Sequence, residues 1–462
     1  MPKSETRHVC QSCGAAFPRW VGRCPTCGEW NTITEEVVPR QASLAKSPRR
    51  SDANAARPIA EIAAHDLAAR LATGIGELDR VLGGGAVVGG VTLLGGDPGV
   101  GKSTLLMQAL GGIAACDATR RQVLYVSGEE SAGQTAARAR RLGGIPGTFL
   151  ILAENDLDLI LAELERSKPI AIVLDSVQTV RSPSIESAAG TVSQLREVAA
   201  RVVEHAKRAG VAAFLVGHVT KDGVLAGPKV LEHLVDTVLA FEGERGHSFR
   251  TLRAQKNRFG SATEVGVFEM SGEGMREVPN PSALFLAERP RGAAGSVVCA
   301  TSEGSRPMLV EVQALVSPSV AGGGGRRTVT GTDPSRLALI LAVLERKCGL
   351  HLATCDVFVN VAGGLRVDEP AVDLAVAVAV ASSLRDRAVP ADTVVFGEIG
   401  LAGEVRGVSR TAARVAEAGA MGFRRAISPG KREDAPGTVE DGGLVLEPVS
   451  TVAAALDRLG LG

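Results

Sequence analysis

The stretch Gly95–Thr104, "GGDPGVGKST", decides how this chain folds. It contains Gly96-x4-Gly101-Lys102-Ser103, directly after the apolar run "VTLL" and directly before "TLLMQALGGIA". A buried strand, a glycine-rich turn and a helix in that order make a phosphate-binding loop. Its expected cradle is Gly96, Asp97, Pro98, Gly99, Val100, Gly101, Lys102, Ser103 and Thr104. The glycines let backbone N–H groups curl around phosphate oxygens at a helix N-terminus. Lys102 is then placed to reach the β and γ phosphates, and the Ser103 hydroxyl to ligate magnesium. ATP and Mg2+ are the implied cofactors.

Around the loop, six apolar runs alternate with helical segments: "VTLLGG", "QVLYVSG", "TFLILAE", "IAIVLDS", "VAAFLVGH" and "DTVLAFEG". Continuous apolar strands separated by helices predict an α/β fold with a parallel sheet buried on both faces. Asp175 ends one of these strands, where a carboxylate holds magnesium in P-loop enzymes. Glu129 and Glu130 follow another, and one of them is a candidate to polarise the attacking water. Alternatively both are first-turn acids of the helical segment "ESAGQTAARARRLG". His218, after "FLVG", is either a sensor of the γ-phosphate or a loop histidine.

At 462 residues the chain calls for two or three domains, and 45% apolar residues suffice for real cores. Composition divides it into a cysteine block (1–36), a polar basic linker (37–70), the phosphate-binding block (71–280) and a C-terminal α+β block (281–462). In the last, "PSRLALILAVLERKCG" reads as a helix opened by proline and closed by Gly349. "EPAVDLAVAVAVASSL" reads as a helix buried on nearly all sides. The Gly-rich residues 320–328 read as a surface loop. Lys plus Arg and Asp plus Glu are both 51, so any nucleic-acid contact must be local. Aromatic residues are only 3%, leaving few rings for stacking bases. No apolar run of 18 residues and no signal-like N-terminus is present, so a cytoplasmic chain without a membrane partner is expected.

In that compartment the eight cysteines point to metal or free thiols rather than disulfides. Four are spaced Cys10-x2-Cys13-x10-Cys24-x2-Cys27, with Gly28 after the second pair. Two such turns bring four thiolates to the corners of a tetrahedron, the arrangement of a closed structural Zn2+ site. A block this small depends on its metal for most of its folding free energy. Its partner, DNA or protein, is not legible.

Between the strand-like runs "FRTLRAQ" and "EVGVFEM" lies "KNRFG", Lys256–Gly260, which reads as a hairpin tip. The four-cysteine ribbon, "TGIGELDRVLGGG" leading into "GDPGVGKST", "LYVSGEES" and "KNRFG", taken in this order, resemble the bacterial RadA (Sms) family of DNA-repair ATPases. The resemblance covers essentially the whole chain. It implies a RecA-like core in a ring, expected to be a homo-hexamer, acting by branch migration or helicase-like motion on single-stranded and branched DNA. A recombinase of the RecA type is an implied partner. In such rings a basic hairpin reaches the neighbour's nucleotide, the role implied for Lys256 and Arg258. Loops that face the channel give Arg181, Lys221 and Lys229 as DNA contacts. The family's C-terminal domain is similar to that of Lon proteases. Here "DEPAVD" puts Ala371 at the nucleophile position, and Ala412 aligns, within a residue or two, with the lysine, so no peptidase dyad is expected. The competing reading is a KaiC-like oligomeric switch that binds partners without translocating.

Overall fold

The computed structural model describes residues 5–11, 14–38, 69–143, 145–219, 225–226, 230–243, 249–290, 292–319, 325–367, 369–430 and 443–462. They form two compact units, Met1–Val278 and Pro279–Gly462. No helix among the described residues is long and apolar enough to cross a membrane.

The first unit opens with a three-stranded antiparallel ribbon in the order Ala16–Phe17, Glu5–Cys10, Ile33–Val38. That last strand runs to Val38, and Arg70–Leu71 pairs with Ala86–Val87 in the core, so the expected linker is trimmed at both ends. The rest of that linker, with its "KSPRR" run, lies outside the described residues.

The core is a nine-stranded sheet. Six strands are parallel, in the order Thr237–Glu242, Val91–Gly96, Ala212–Val216, Ala171–Asp175, Val123–Ser127, Phe149–Ala153. They are the six apolar runs of the sequence. An antiparallel extension of Phe249–Asn257, Val265–Ser271 and Gly274–Glu277 joins at Thr237–Glu242.

Alternate residues of each parallel strand serve opposite faces, as the two-residue period of a strand dictates. Leu94, Tyr125, Val173 and Phe214 pack with Leu105, Leu106 and Leu110 of helix Lys102–Cys116. Leu93, Leu124, Ile172 and Leu215 pack with Leu157, Ile160 and Leu164 of helix Leu157–Ser167, and with Leu195 and Val198 of helix Val192–Ala209. Each buried leucine contributes about 1.5–3 kcal/mol, so both layers hold the sheet. Helices on both faces leave the strand ends as the open edges where ligands bind.

The second unit is built on a seven-stranded mixed sheet. Helix Pro334–Cys348 begins at Asp333, whose side chain accepts from Ser335 N at 2.8 Å, and ends at Gly349 in the left-handed region. Helix Asp373–Arg385 is buried from Asp373 through Ser382. At its basic end the expected Gly-rich loop gives way to a strand. Arg327–Thr330 is a strand parallel to Cys355–Val361, and Arg327 donates to the carbonyls of Leu352 and Cys355. Residues 320–324 lie outside the described residues.

Candidate nucleotide site, ribbon and finger

Strand Val91–Gly96 delivers the loop to the carboxyl edge of the sheet, and helix Lys102–Cys116 starts immediately after it. Two glycines are required here. A Cβ on Gly96 would sit 2.3 Å from the Phe241 carbonyl oxygen, and Gly101 has φ 110°, in the left-handed region. Lys102 is only 4% exposed. Its ammonium donates to Gly96 O at 2.7 Å and Asp97 O at 2.9 Å, spanning the loop. Burial pulls its pKa below the usual lysine value, while Asp175, Asp97 and Glu129 act the other way. The first-turn N–H groups of the helix have no intrahelical acceptors, and with this lysine they form a cationic cup suited to phosphates.

Strands Val123–Ser127 and Ala171–Asp175 are neighbours, with Ser127 opposite Asp175. Tyr125 OH donates to Asp175 Oδ2 at 2.5 Å. Burial, then the Asp175 charge, push the phenol far above its ordinary pKa, so it stays a donor and fixes the carboxylate. Ser103 acts on the same phenol in the opposite sense. Sequence reasoning missed Tyr125. The signal was a single tyrosine in an otherwise aliphatic strand, since a buried phenol needs a partner.

The two acids left open by the sequence differ in the structure. Glu130 is paired with Arg138, and its N–H donates to Ser127 Oγ. Glu129 is exposed at the same edge, accepts from Ser176 Oγ at 2.7 Å, and lies close enough to Lys102 to act on its charge. The helix expected after them starts at Ser131, with a capping box closed by Gln134.

"KNRFG" ends strand Phe249–Asn257 and begins the turn into Val265–Ser271. Its position follows from the register. Asn257 is opposite Thr237, which is opposite Thr92, whereas Gly96 is opposite Phe241. The motif therefore lies at the amino edge of the parallel strands, away from its own phosphate loop. Lys256 Nζ donates to Glu232 O at 2.5 Å and Val235 O at 2.7 Å, capping the short helix Val230–Leu234. Arg258 is 54% exposed at its side chain and loosely paired with Asp236, at 3.5 Å. Asn257 ties the tip down. Its Nδ2 donates to Val81 O and Leu82 O, and its Oδ1 accepts from Phe259 N. Arg70, also missed in the sequence, donates to Phe259 O at 2.6 Å and Leu82 O at 3.2 Å. These tethers orient the turn and leave Arg258 as its outward cation.

Among the DNA candidates, Arg181 is exposed after the Asp175 strand, its backbone held by Asn155 and Leu157. Lys221 and Lys229 lie outside the described residues, as does the side chain of His218, whose backbone pairs with Ala226.

In the ribbon, the sulfurs of Cys10, Cys24 and Cys27 lie within 4.8 Å of one another, Cys10 to Cys27 at 3.7 Å. Zn–S bonds of about 2.3 Å put tetrahedral sulfurs about 3.8 Å apart, so this spacing fits zinc. Cys13 lies outside the described residues. Both turns close alike: Gly14 N donates to Cys10 O and Gly28 N to Cys24 O, each at 2.8 Å, with both glycines at positive φ.

In the second unit Ala371 is buried in the turn Pro370–Val372. Glu369 before it binds the fully buried Arg414 through both oxygens, at 2.7 and 2.6 Å. Asp373 after it binds Arg336. Ala412 is exposed on helix Thr411–Ala420, so the residue of that helix that reaches this turn is Arg414.

Residues 8–35 match the family described as "Rubredoxin metal binding domain", 56–224 match "AAA domain", and 336–432 match "Subunit ChlI of Mg-chelatase". The chain is 48% identical over 466 residues to "DNA repair protein RadA" of Bacillus subtilis, covering all of both chains. It is 49% identical over 461 residues to the protein of that name from Aquifex aeolicus, covering 99% of this chain and 100% of the other. A KaiC-like protein of Pyrococcus horikoshii aligns over 46% of this chain and 100% of its own, at 20% identity and a TM-score of 0.38.

Proposed function

The chain belongs to the RadA family of DNA repair proteins, and from that premise we propose that its ATPase core is a DNA-dependent motor assembled head to tail in a ring. The family membership and the AAA domain make it a repair and recombination ATPase using ATP and Mg2+, with a zinc-bearing ribbon. The proposal adds how the residues divide the work.

Lys102 and the loop amides would hold the phosphates, with Ser103 and Asp175 holding Mg2+, which neutralises charge on the transferred group when bound. Tyr125 keeps the Asp175 carboxylate aimed. Glu129 accepts the hydrogen bond of the attacking water, while Glu130 stays paired with Arg138. Arg258 is contributed by the next subunit, and Lys256 holds the base of that finger. His218 reports on the γ-phosphate from the adjacent strand end. Arg181, Lys221 and Lys229 contact DNA phosphates along the channel. The motor acts on single-stranded and branched DNA, migrating branches in a hexameric ring alongside a RecA-type recombinase. The C-terminal domain is a scaffold rather than a peptidase, since Ala371 sits between two carboxylates already neutralised by arginines.

The observation that carries this reading is the placement of Arg258 at the sheet edge opposite its own Lys102. A finger there has a catalytic use only across a subunit interface. The test is ATP hydrolysis by the purified protein with and without single-stranded DNA, combined with strand extension on a three-way branched substrate. Stimulated hydrolysis with ATP-dependent extension is expected. Hydrolysis indifferent to DNA would end the motor reading; DNA binding without extension would favour the nucleotide-dependent switch.

A further inference from the structure

Both tryptophans of the chain, Trp20 and Trp30, lie in the ribbon, and both are exposed, at 57% and 68%. The ribbon core is Cys10, Cys24 and Ile33, with Ala15, Phe17 and Val21 against it, and it does not include either ring. The two indoles share one surface. They flank Gly22, where a Cβ would sit 3.5 Å from Trp20 Cη2 and 3.9 Å from Trp30 Cζ3. Arg23 pairs backbone to backbone with Trp30, and its guanidinium lies 5.8 Å from that ring's centroid. Its Nε donates to Gly28 O at 2.8 Å, tying it to the second zinc turn. The metal site thus sets the position of the arginine and of the ring beneath it. Arg19 is exposed beside Trp20.

Two large rings held in water are costly unless something covers them. We propose that Trp20 and Trp30, with Arg19 and Arg23, form a stacking platform for the bases of single-stranded DNA. Unpaired bases offer π-faces to aromatic rings, and the adjoining phosphates pair with cations; duplex DNA hides those faces. The surroundings favour this occupant over a protein. Arg23 lies over the Trp30 ring and Arg19 adjoins Trp20 in the chain, two exposed cations suited to a phosphate backbone. Residues 40–58, next in the chain, carry five cations (Arg40, Lys46, Arg49, Arg50, Arg57) and one anion (Asp52), the charge balance expected beside a phosphate backbone. The 3% aromatic content, which argued against base stacking across the chain, hides this local concentration.

The inference rests on the DNA-binding reading above, and one titration separates the two. Because no other tryptophan exists, the intrinsic emission of the full-length, zinc-loaded protein reports on the ribbon alone. An oligothymidine carrying a red dye is titrated in, and dye anisotropy and tryptophan emission are followed together. Emission should be quenched in step with the anisotropy rise. Trp20→Ala and Trp30→Ala should each weaken binding by roughly 5- to 100-fold, the range for loss of one base-stacking side chain. Trp20→Phe and Trp30→Phe should restore most of it, and a zinc content of one per chain shows that each variant ribbon is intact. Anisotropy that rises while emission stays flat, with unchanged affinity in both alanine variants, overturns the platform and leaves DNA binding by the core intact. The same result is expected if the rings face a protein. No anisotropy change at all overturns both readings.

Discussion

Replacing Arg258 by alanine should abolish fast hydrolysis without unfolding the subunit, and the loss should be repairable only by a neighbour. Arg258 is about five residues below Gly96 along the sheet and two strands away, about 16 Å along the strands and 10 Å across. An arginine side chain is far too short to cover that distance to its own loop. Folding should survive because Arg258 makes a single loose ion pair, while the turn is held by Asn257 and Arg70. Loss of a finger of this type costs on the order of 10³-fold or more in turnover. The assay is steady-state ATP hydrolysis by Arg258→Ala, by Lys102→Ala, and by equal mixtures in which exchange has been verified. If loop and finger come from different subunits of a ring, about one interface in four of a random mixture carries both intact groups. The mixture should then recover about a quarter of wild-type turnover, from two components that are each nearly inactive. If hydrolysis stays at the level of the separate variants in rings shown to be mixed, the trans assignment is wrong.

Two other consequences are local. Tyr125→Phe removes the hydrogen bond to Asp175, and loss of such an outer contact typically weakens metal affinity about 10- to 100-fold. Half-saturating Mg2+ should rise, with turnover at saturating Mg2+ much less affected; an unchanged Mg2+ titration would remove Tyr125 from the site. In the second unit, Arg414→Ala removes the ion-pair partner of Glu369, which keeps only its bonds from Thr301 Oγ1 and Ser302 N, and should cost about 3 kcal/mol, read as a lower thermal transition of that unit. Ala371→Ser should not create peptide hydrolysis, since the flanking carboxylates Glu369 and Asp373 are held by Arg414 and Arg336; peptide cleavage by that variant would refute the scaffold reading.

What the sequence by itself determined is everything encoded within a few residues. The Gly96–Ser103 spacing specifies a phosphate loop because strand, turn and helix are contiguous. The paired cysteines specify a zinc knuckle because each turn closes on its own glycine. Six apolar runs specify a parallel sheet because a strand buried on both faces cannot alternate. Strand order is different, since it joins residues far apart in the chain. Only the fold could place Tyr125 against Asp175, 50 residues on, or Arg70 against Phe259, 189 residues on. Only the fold could separate Glu129 from Glu130, because the difference is the reach of Arg138. It also decided where "KNRFG" lies. Local propensity makes those residues a turn, but the antiparallel pairing of Phe249–Asn257 with Thr237–Glu242 carries that turn to the edge of the sheet farthest from its own nucleotide loop.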